Sequence, residues 1–232
     1  MKKFINKANK AEPLTKQRGP LTVANFNKSF REYFTEVISL ANNVKGDFVE
    51  FGFGGTAASS SSRLITDLMK SNYITKRKCW FYDSFEGLPS ANKEDLGIEW
   101  TSKDAKDKII KELLHGGMFK PTPATLELID QLKKDPELNV EFVKGWYQTT
   151  AKQHKEKIAV LHLDGDLYES YLYPLTHVYP LVEKGGIIIF DDYDKSKWPG
   201  CTKAVNEFFK DKIKDIVTYE GGYMTRHYLI KK

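Results

Sequence analysis

The chain has little of what would commit it to a membrane, a secreted scaffold or a polyanion. Two cysteines in 232 residues, Cys79 and Cys201, cannot build a disulfide framework, and a reducing cytosol suits them best. No apolar stretch approaches the roughly 20 residues that span a bilayer, and the start of the chain lacks the apolar core of a signal peptide. The expectation is a soluble, cytoplasmic protein. Charge of one sign is also scarce. The net charge is +5, and much of it lies in the first eighteen residues, where Lys2, Lys3, Lys7, Lys10, Lys16 and Arg18 face only Glu12. Such a start reads as a solvated end. With no stripe of interleaved aromatic and basic residues, a nucleic-acid partner is not expected.

What is present fits one α/β domain: 41% hydrophobic and 29% charged residues, in a chain too short for two full domains. Two short, almost continuously apolar runs, Ile158–Leu163 and Gly186–Phe190, each stop abruptly at acids. The acids are Asp164-Gly165-Asp166 and Asp191-Asp192-Tyr193. Runs of this kind are strands covered on both faces of a parallel sheet, and ligands bind just past the carboxyl ends of such strands.

The remaining pattern supplies the rest of a doubly wound sheet. Phe26, Phe30, Phe34, Val37, Ile38 and Ala41 recur at helical spacing, so one amphipathic helix precedes the sheet. Strands are expected at Phe48–Phe51, Cys79–Tyr82 and Val140–Val143. Helices are expected at 57–70, 168–182 and 202–209. Ile213–Thr218 and Tyr223–Ile230, joined by Glu220-Gly221-Gly222, read as a closing antiparallel hairpin at the sheet edge. Between the second and third strands the chain runs unusually far, with two helical segments at 105–114 and 124–132, which suggests an inserted helical cap. The organisation is then an arm and helix over 1–45 and a catalytic domain over 46–232, with the cap at about 84–137.

Gly52-Phe53-Gly54-Gly55-Thr56-Ala57 has the G-x-G-x-x-A spacing of a nucleotide loop between strand and helix. Asp83, at the end of the second strand, is placed for a ribose hydroxyl of either a dinucleotide or S-adenosylmethionine. Glu50 favours the latter, because a carboxylate just before the loop suits an ammonium and sulfonium better than a pyrophosphate. No Tyr-x-x-x-Lys spacing supports hydride transfer. The acids also suit methyl transfer to oxygen. Gathered at the strand tips they repel unless a cation, a proton or a donor compensates, and a hard divalent ion is the simplest compensation. Such an ion stabilises a developing alkoxide and orients neighbouring oxygens. Asp164, Asp191 and Asp192 would hold it, and Asp166 would be left as general base. Asp-Gly-Asp as a capped turn and Asp191-Asp192 as a solvated loop remain the plain alternatives.

At these residues the chain resembles the macrocin O-methyltransferase family, which methylates sugar hydroxyls of antibiotic glycosides. The resemblance is carried by Asp83-Ser84-Phe85-Glu86-Gly87-Leu88-Pro89, Lys144-Gly145-Trp146-Tyr147, Leu163–Ser170, Asp191-Asp192-Tyr193 and Pro199-Gly200-Cys201 with Lys203-Ala204-Val205. It implies a Rossmann-like class I methyltransferase fold, with a mostly parallel seven-stranded sheet and an antiparallel last strand. It also implies dependence on S-adenosyl-L-methionine and on Mg²⁺ or Mn²⁺. By motif position Asp164, Asp191 and Asp192 hold the metal and Asp166 is the base. Glu50, Gly52, Gly54, Asp83, Ser84, Gly145, Trp146 and Asp164 line the cofactor. Family members are often homo-oligomers, and their N-terminal arm helps close the site. Two departures stand out: the glycine loop lacks the family's aromatic-basic pair, and 91–137 keeps little of its pattern, so the acceptor does not carry over. Trp100, Phe119 and Trp198 are able to stack on a sugar face, although buried packing is expected of each. A catechol-type O-methyltransferase, which usually has Asn where this chain has Asp192, and a non-catalytic cofactor-binding protein are the competing readings.

Overall fold

Apolar side chains three and four apart make the first helix one-sided, and that side is buried. In α1 (Val23–Ser39), Phe34, Val37 and Ile38 are buried, as is Ala41 just beyond it. The computed structural model describes residues 23–53, 61–70, 77–97, 103–194, 197–220 and 225–232. The Arg77 guanidinium closes the end of α1, donating to the carbonyls of Ala41 (2.6 Å), Val44 (2.8 Å) and Gly46 (2.6 Å).

The elements that follow are β1 (Asp47–Phe51), α2 (Ser61–Lys70), β2 (Lys78–Asp83), α3 (Lys103–His115), α4 (Pro123–Lys134) and β3 (Asn139–Lys144). Then come α5 (Tyr147–Thr150), β4 (Ile158–Leu163), α6 (Tyr168–His177), β5 (Val182–Phe190), α7 (Pro199–Phe209), β6 (Val217–Tyr219) and β7 (Arg226–Ile230). A short 3-10 turn, Lys93–Asp95, precedes α3. The strands form one seven-stranded sheet in the order β3-β2-β1-β4-β5-β7-β6. The β1–β2, β1–β4, β2–β3 and β4–β5 pairings are parallel, and β7 runs antiparallel to both β5 and β6. Strand order reverses between β1 and β4, which opens a crevice at their carboxyl ends.

Strand alternation divides the core. Phe48, Phe81, Val160, Ile187, Ile189 and Tyr228 point to one face, under α1, α2 and α4. Val49, Phe51, Leu161, Leu163, Ile188 and Phe190 point to the other, under α6 and α7. A small third cluster joins Leu113 and Leu167 to Leu88, Ala91, Ile109, Met118 and Trp198. Cys79 and Cys201 are in no disulfide and are buried on opposite faces.

Several boundaries differ from the expected ones. Expected over 168–182, α6 ends at His177, three residues after Pro174, and a 3-10 turn follows before Val182 opens β5. β5 starts before Gly185-Gly186 because the β4–β5 register shifts there, and the glycines ride inside the strand. Ile213 lies in a 3-10 segment, Lys210–Asp215, so β6 begins only at Val217. Pro199 at its first turn starts α7 earlier than Thr202.

Candidate active site

The tips of β1, β2, β3, β4 and β5 meet around one crevice floor. Gly52 leaves β1 with φ of +113°, and a Cβ there would lie 1.8 Å from the Asp164 carbonyl oxygen. Only glycine permits that approach, so this position fixes the β1 and β4 tips against each other. Gly54, Gly55, Thr56 and Ala57 lie outside the described residues. Asp83 ends β2 and accepts the Phe85 N–H at 2.6 Å and the Phe53 N–H. Burial outweighs these bonds and raises its pKa to about 6. Ser84 accepts the Glu86 N–H at 3.0 Å and donates to the Gly87 carbonyl at 2.9 Å, so its hydroxyl organises the turn beneath the crevice. Gly145 donates to the Asp83 carbonyl at 2.9 Å, and Trp146 beside it is exposed.

The acids divide between the two faces. On the α1 side, the alternation that places Phe48, Val160, Ile187 and Tyr228 inward brings Glu50, His162, Asp164, Asp191 and Arg226 onto the same side. Glu50 and His162 pair across β1 and β4, and both are fully buried. His162 Nδ1 lies 3.4 Å from Glu50 Oε1, and Nε2 lies 3.9 Å from Asp191 Oδ1. Neither ring nitrogen reaches hydrogen-bond geometry, so these are ion-pair contacts. Burial opposes the imidazolium, but Asp191 and Glu50 outweigh it and raise the pKa to about 10. Arg226 donates from Nη1 to Asp191 Oδ1 at 2.5 Å and packs 4.3 Å from the Phe30 ring. Burial and the charges of Asp191 and Asp192 push the Asp164 pKa well above the usual carboxylate range, with His162 opposing.

On the α6 side, Asp192 follows the phase of Ile188 and Phe190. Its Oδ2 accepts the Asp166 N–H at 3.1 Å and faces the Tyr171 hydroxyl at 3.2 Å. That hydroxyl also lies 2.7 Å from the Leu163 carbonyl and accepts the Asp192 N–H at 3.1 Å. Asp166 sits in the left-handed region, with φ of +61°. Asp tolerates that conformation at a cost of order 1 kcal/mol, and its surroundings hold it there.

The structure therefore brings Asp164 and Asp191 together with His162, their ligand atoms within 4.8 Å of one another. Asp192 joins Asp166 instead, through neutral donors. His162, Arg226 and Tyr171 were not named from the sequence. His162 carried a signal: it is the lone polar residue in Ile158–Leu163, two positions before Asp164, hence on the same face. Arg226 carried none. Part of the expected compensation is supplied by these two buried cations. The donor set still fits a divalent ion, because two carboxylates converge and the charge on Asp164 remains poorly matched.

Phe119 is 55% exposed, which overturns the burial expected of it. It lies 6.2 Å from the Trp198 ring, which is packed in the third cluster. Trp100 lies outside the described residues. Among the described residues no helix is long and apolar enough to cross a membrane.

Comparison with known proteins gives this geometry a context. Demethyldecarbamoylnovobiocin O-methyltransferase of Streptomyces niveus is 31% identical over 188 residues, 78% of this chain and 64% of that protein. Mycinamicin III 3''-O-methyltransferase of Micromonospora griseorubida is 30% identical over 202 residues, 81% of this chain and 71% of that one. The chain thus spans less than two thirds of the first relative's length. The solved O-methyltransferase NovP superposes with a TM-score of 0.64 at 25% identity, covering 88% of this chain and 80% of its own. Calicheamicin methyltransferase CalS11 shares the fold, with a TM-score of 0.66 at 19% identity over 94% of this chain and 88% of its own. The architecture is that of a class I methyltransferase. The family described as macrocin-O-methyltransferase (TylF) matches residues 27–218, and the chain belongs to that family.

Proposed function

We propose that the protein is an S-adenosylmethionine-dependent O-methyltransferase acting on a sugar hydroxyl of a glycoside or glycan. The observation that carries this reading is the meeting, at adjacent strand tips, of a cofactor-type floor (Gly52, Asp83, Ser84, Gly145) with the acid pair Asp164 and Asp191. Family membership supports the reaction class, and the relatives' names support a sugar acceptor.

In this reading Asp83 would accept the ribose hydroxyls, and Gly54 and the turn at Trp146 would contribute to the cofactor site. Glu50, two residues before Gly52, would lend negative charge to the cationic end of the methionine moiety. Asp164 and Asp191 would hold a divalent ion, Mg²⁺ or Mn²⁺, with Asp192, expected as a third ligand, bonded to the Asp166 backbone instead. Such an ion supplies Lewis-acid stabilisation of an oxyanion and orients neighbouring hydroxyls. His162, with a carboxylate facing each ring nitrogen, serves as counter-charge. Asp166 would take the proton of the acceptor hydroxyl as that oxygen receives the methyl group. Asp192 ties the two sides together, since it fixes the Asp166 backbone. A cytoplasmic location, the absence of a nucleic-acid partner and assembly into homo-oligomers belong to the same reading.

The test is transfer of labelled methyl from S-adenosylmethionine to a panel of glycosides, with catechols as the contrasting class. Label on a sugar oxygen is the expected result. Label on catechols alone, or no transfer while S-adenosylhomocysteine binds, would overturn it.

A further inference from the structure

One buried carboxylate near the site has no part in the chemistry above. Asp95 ends the 3-10 turn between β2 and α3 and is 3% exposed. Its Oδ1 accepts the Tyr168 N–H at 2.7 Å, and its Oδ2 accepts the Asn92 N–H at 3.1 Å. The natural N-cap of α6 is Leu167, which has no side chain able to cap. Asp95 therefore caps α6 from 73 residues away in the chain.

The fit is close. Gly200 is the second residue of α7, and a Cβ there would lie 1.7 Å from Asp95 Oδ1 and 2.9 Å from the Tyr168 nitrogen. The carboxylate occupies the space that glycine leaves between the starts of two helices, where the helix dipoles favour an anion. Around it, Leu167 is sealed at 2% exposure beneath Leu88, Ala91, Ile109, Met118 and Trp198. Lys203 of α7 reaches Glu94 at 3.5 Å, a second tie on the same turn. Both residues that follow Asp166 are thus held by the β2–β3 segment, while Asp166 itself needs support for its left-handed backbone.

We propose that Asp95 is a positioning residue for methyl transfer: by capping α6 it fixes the Asp166 loop, so the proton acceptor is in place only when the β2–β3 segment is seated. This rests on the reading of Asp166 as base. It makes seating of the β2–β3 segment a condition for the chemistry.

The test compares Asp95→Ala, Asp95→Asn and Asp166→Asn on an acceptor that the wild type methylates. For Asp95→Ala, amide exchange at Tyr168 and Glu169 accelerates and kcat falls about 10- to 100-fold, with KM for cofactor and acceptor nearly unchanged. Asp95→Asn keeps an oxygen acceptor for the Tyr168 N–H but loses the one for Asn92 and the charge, and is expected to restore part of the rate. Should Asp95→Ala fail to fold, the Asn variant and Gly200→Ala remain; the latter pushes a methyl into the carboxylate and is expected to slow kcat likewise. Wild-type kcat in Asp95→Ala, with only a lower melting temperature, would overturn the proposal. An Asn variant as slow as the Ala variant would also overturn it. Wild-type turnover in Asp166→Asn would remove the base assignment and the proposal together, whereas a slow Asp166→Asn beside a fast Asp95→Ala would remove Asp95 alone.

Discussion

Asp164 and Asp192 sit one residue past the ends of adjacent strands or a step beyond, yet they live in different electrostatic surroundings. Asp164 and Asp191 face α1 in the company of two buried cations, His162 and Arg226. Asp192 faces α6, where the Tyr171 hydroxyl and the Asp166 N–H meet its Oδ2. The period of two along a strand makes this division: Asp191 and Asp192 are neighbours in sequence and opposites in space. An acid cluster of this kind is two half-sites, one built around positive charge and the other around a fixed hydrogen-bond geometry.

Substitutions can break the two halves separately. The largest effect is expected from Asp191→Asn, which removes the charge that converges with Asp164. Turnover should fall at least about a thousandfold, with S-adenosylhomocysteine affinity by calorimetry nearly unchanged. Asp166→Asn should cost about 10²- to 10⁴-fold in kcat while divalent-ion binding is retained, because proton removal is lost and the other half is left intact. Arg226→Met leaves Asp191 short of a buried partner and should lower unfolding free energy by about 3 kcal/mol in denaturant titrations. Added Mg²⁺ should recover part of that loss. Tyr171→Phe strips Asp192 and the Leu163 carbonyl of a donor and should cost about 1–2 kcal/mol, with no recovery by Mg²⁺.

Asp83 gives the smallest effect and a sign that depends on pH. Its folded pKa, about 6, lies above its usual value. Stability associated with the protonated form is therefore present at low pH and lost as pH rises through 6. Asp83→Asn should unfold at a higher temperature than the wild type at pH 8, by an amount on the order of 1 kcal/mol, and show no gain at pH 4. Cofactor binding should weaken in the same variant.

Much of this was readable in the chain because it rests on local pattern. Apolar runs ending in acids located β4 and β5, and alternation with helical segments gave the doubly wound order. Gly52 was singled out for its loop, and the structure adds the reason, a carbonyl pressed against it. What escaped depends on distance in sequence. Arg226 meets Asp191 across 35 residues, by the antiparallel register of β5 and β7, and no local pattern encodes it. The capping of α6 by Asp95 spans 73 residues and was equally hidden. The run Gly186–Phe190 marks only the second half of β5, which starts at Val182 and accommodates a register shift at its glycines. Phe119, for which buried packing is expected over stacking on a sugar, stands exposed, with φ of +61°.

Manganese binding followed by electron paramagnetic resonance tests the division of labour most directly. The account predicts that the wild type and Asp166→Asn bind Mn²⁺ alike, whereas Asp164→Asn and Asp191→Asn lose it. Equal Mn²⁺ binding in all four proteins, or none in the wild type, would contradict it.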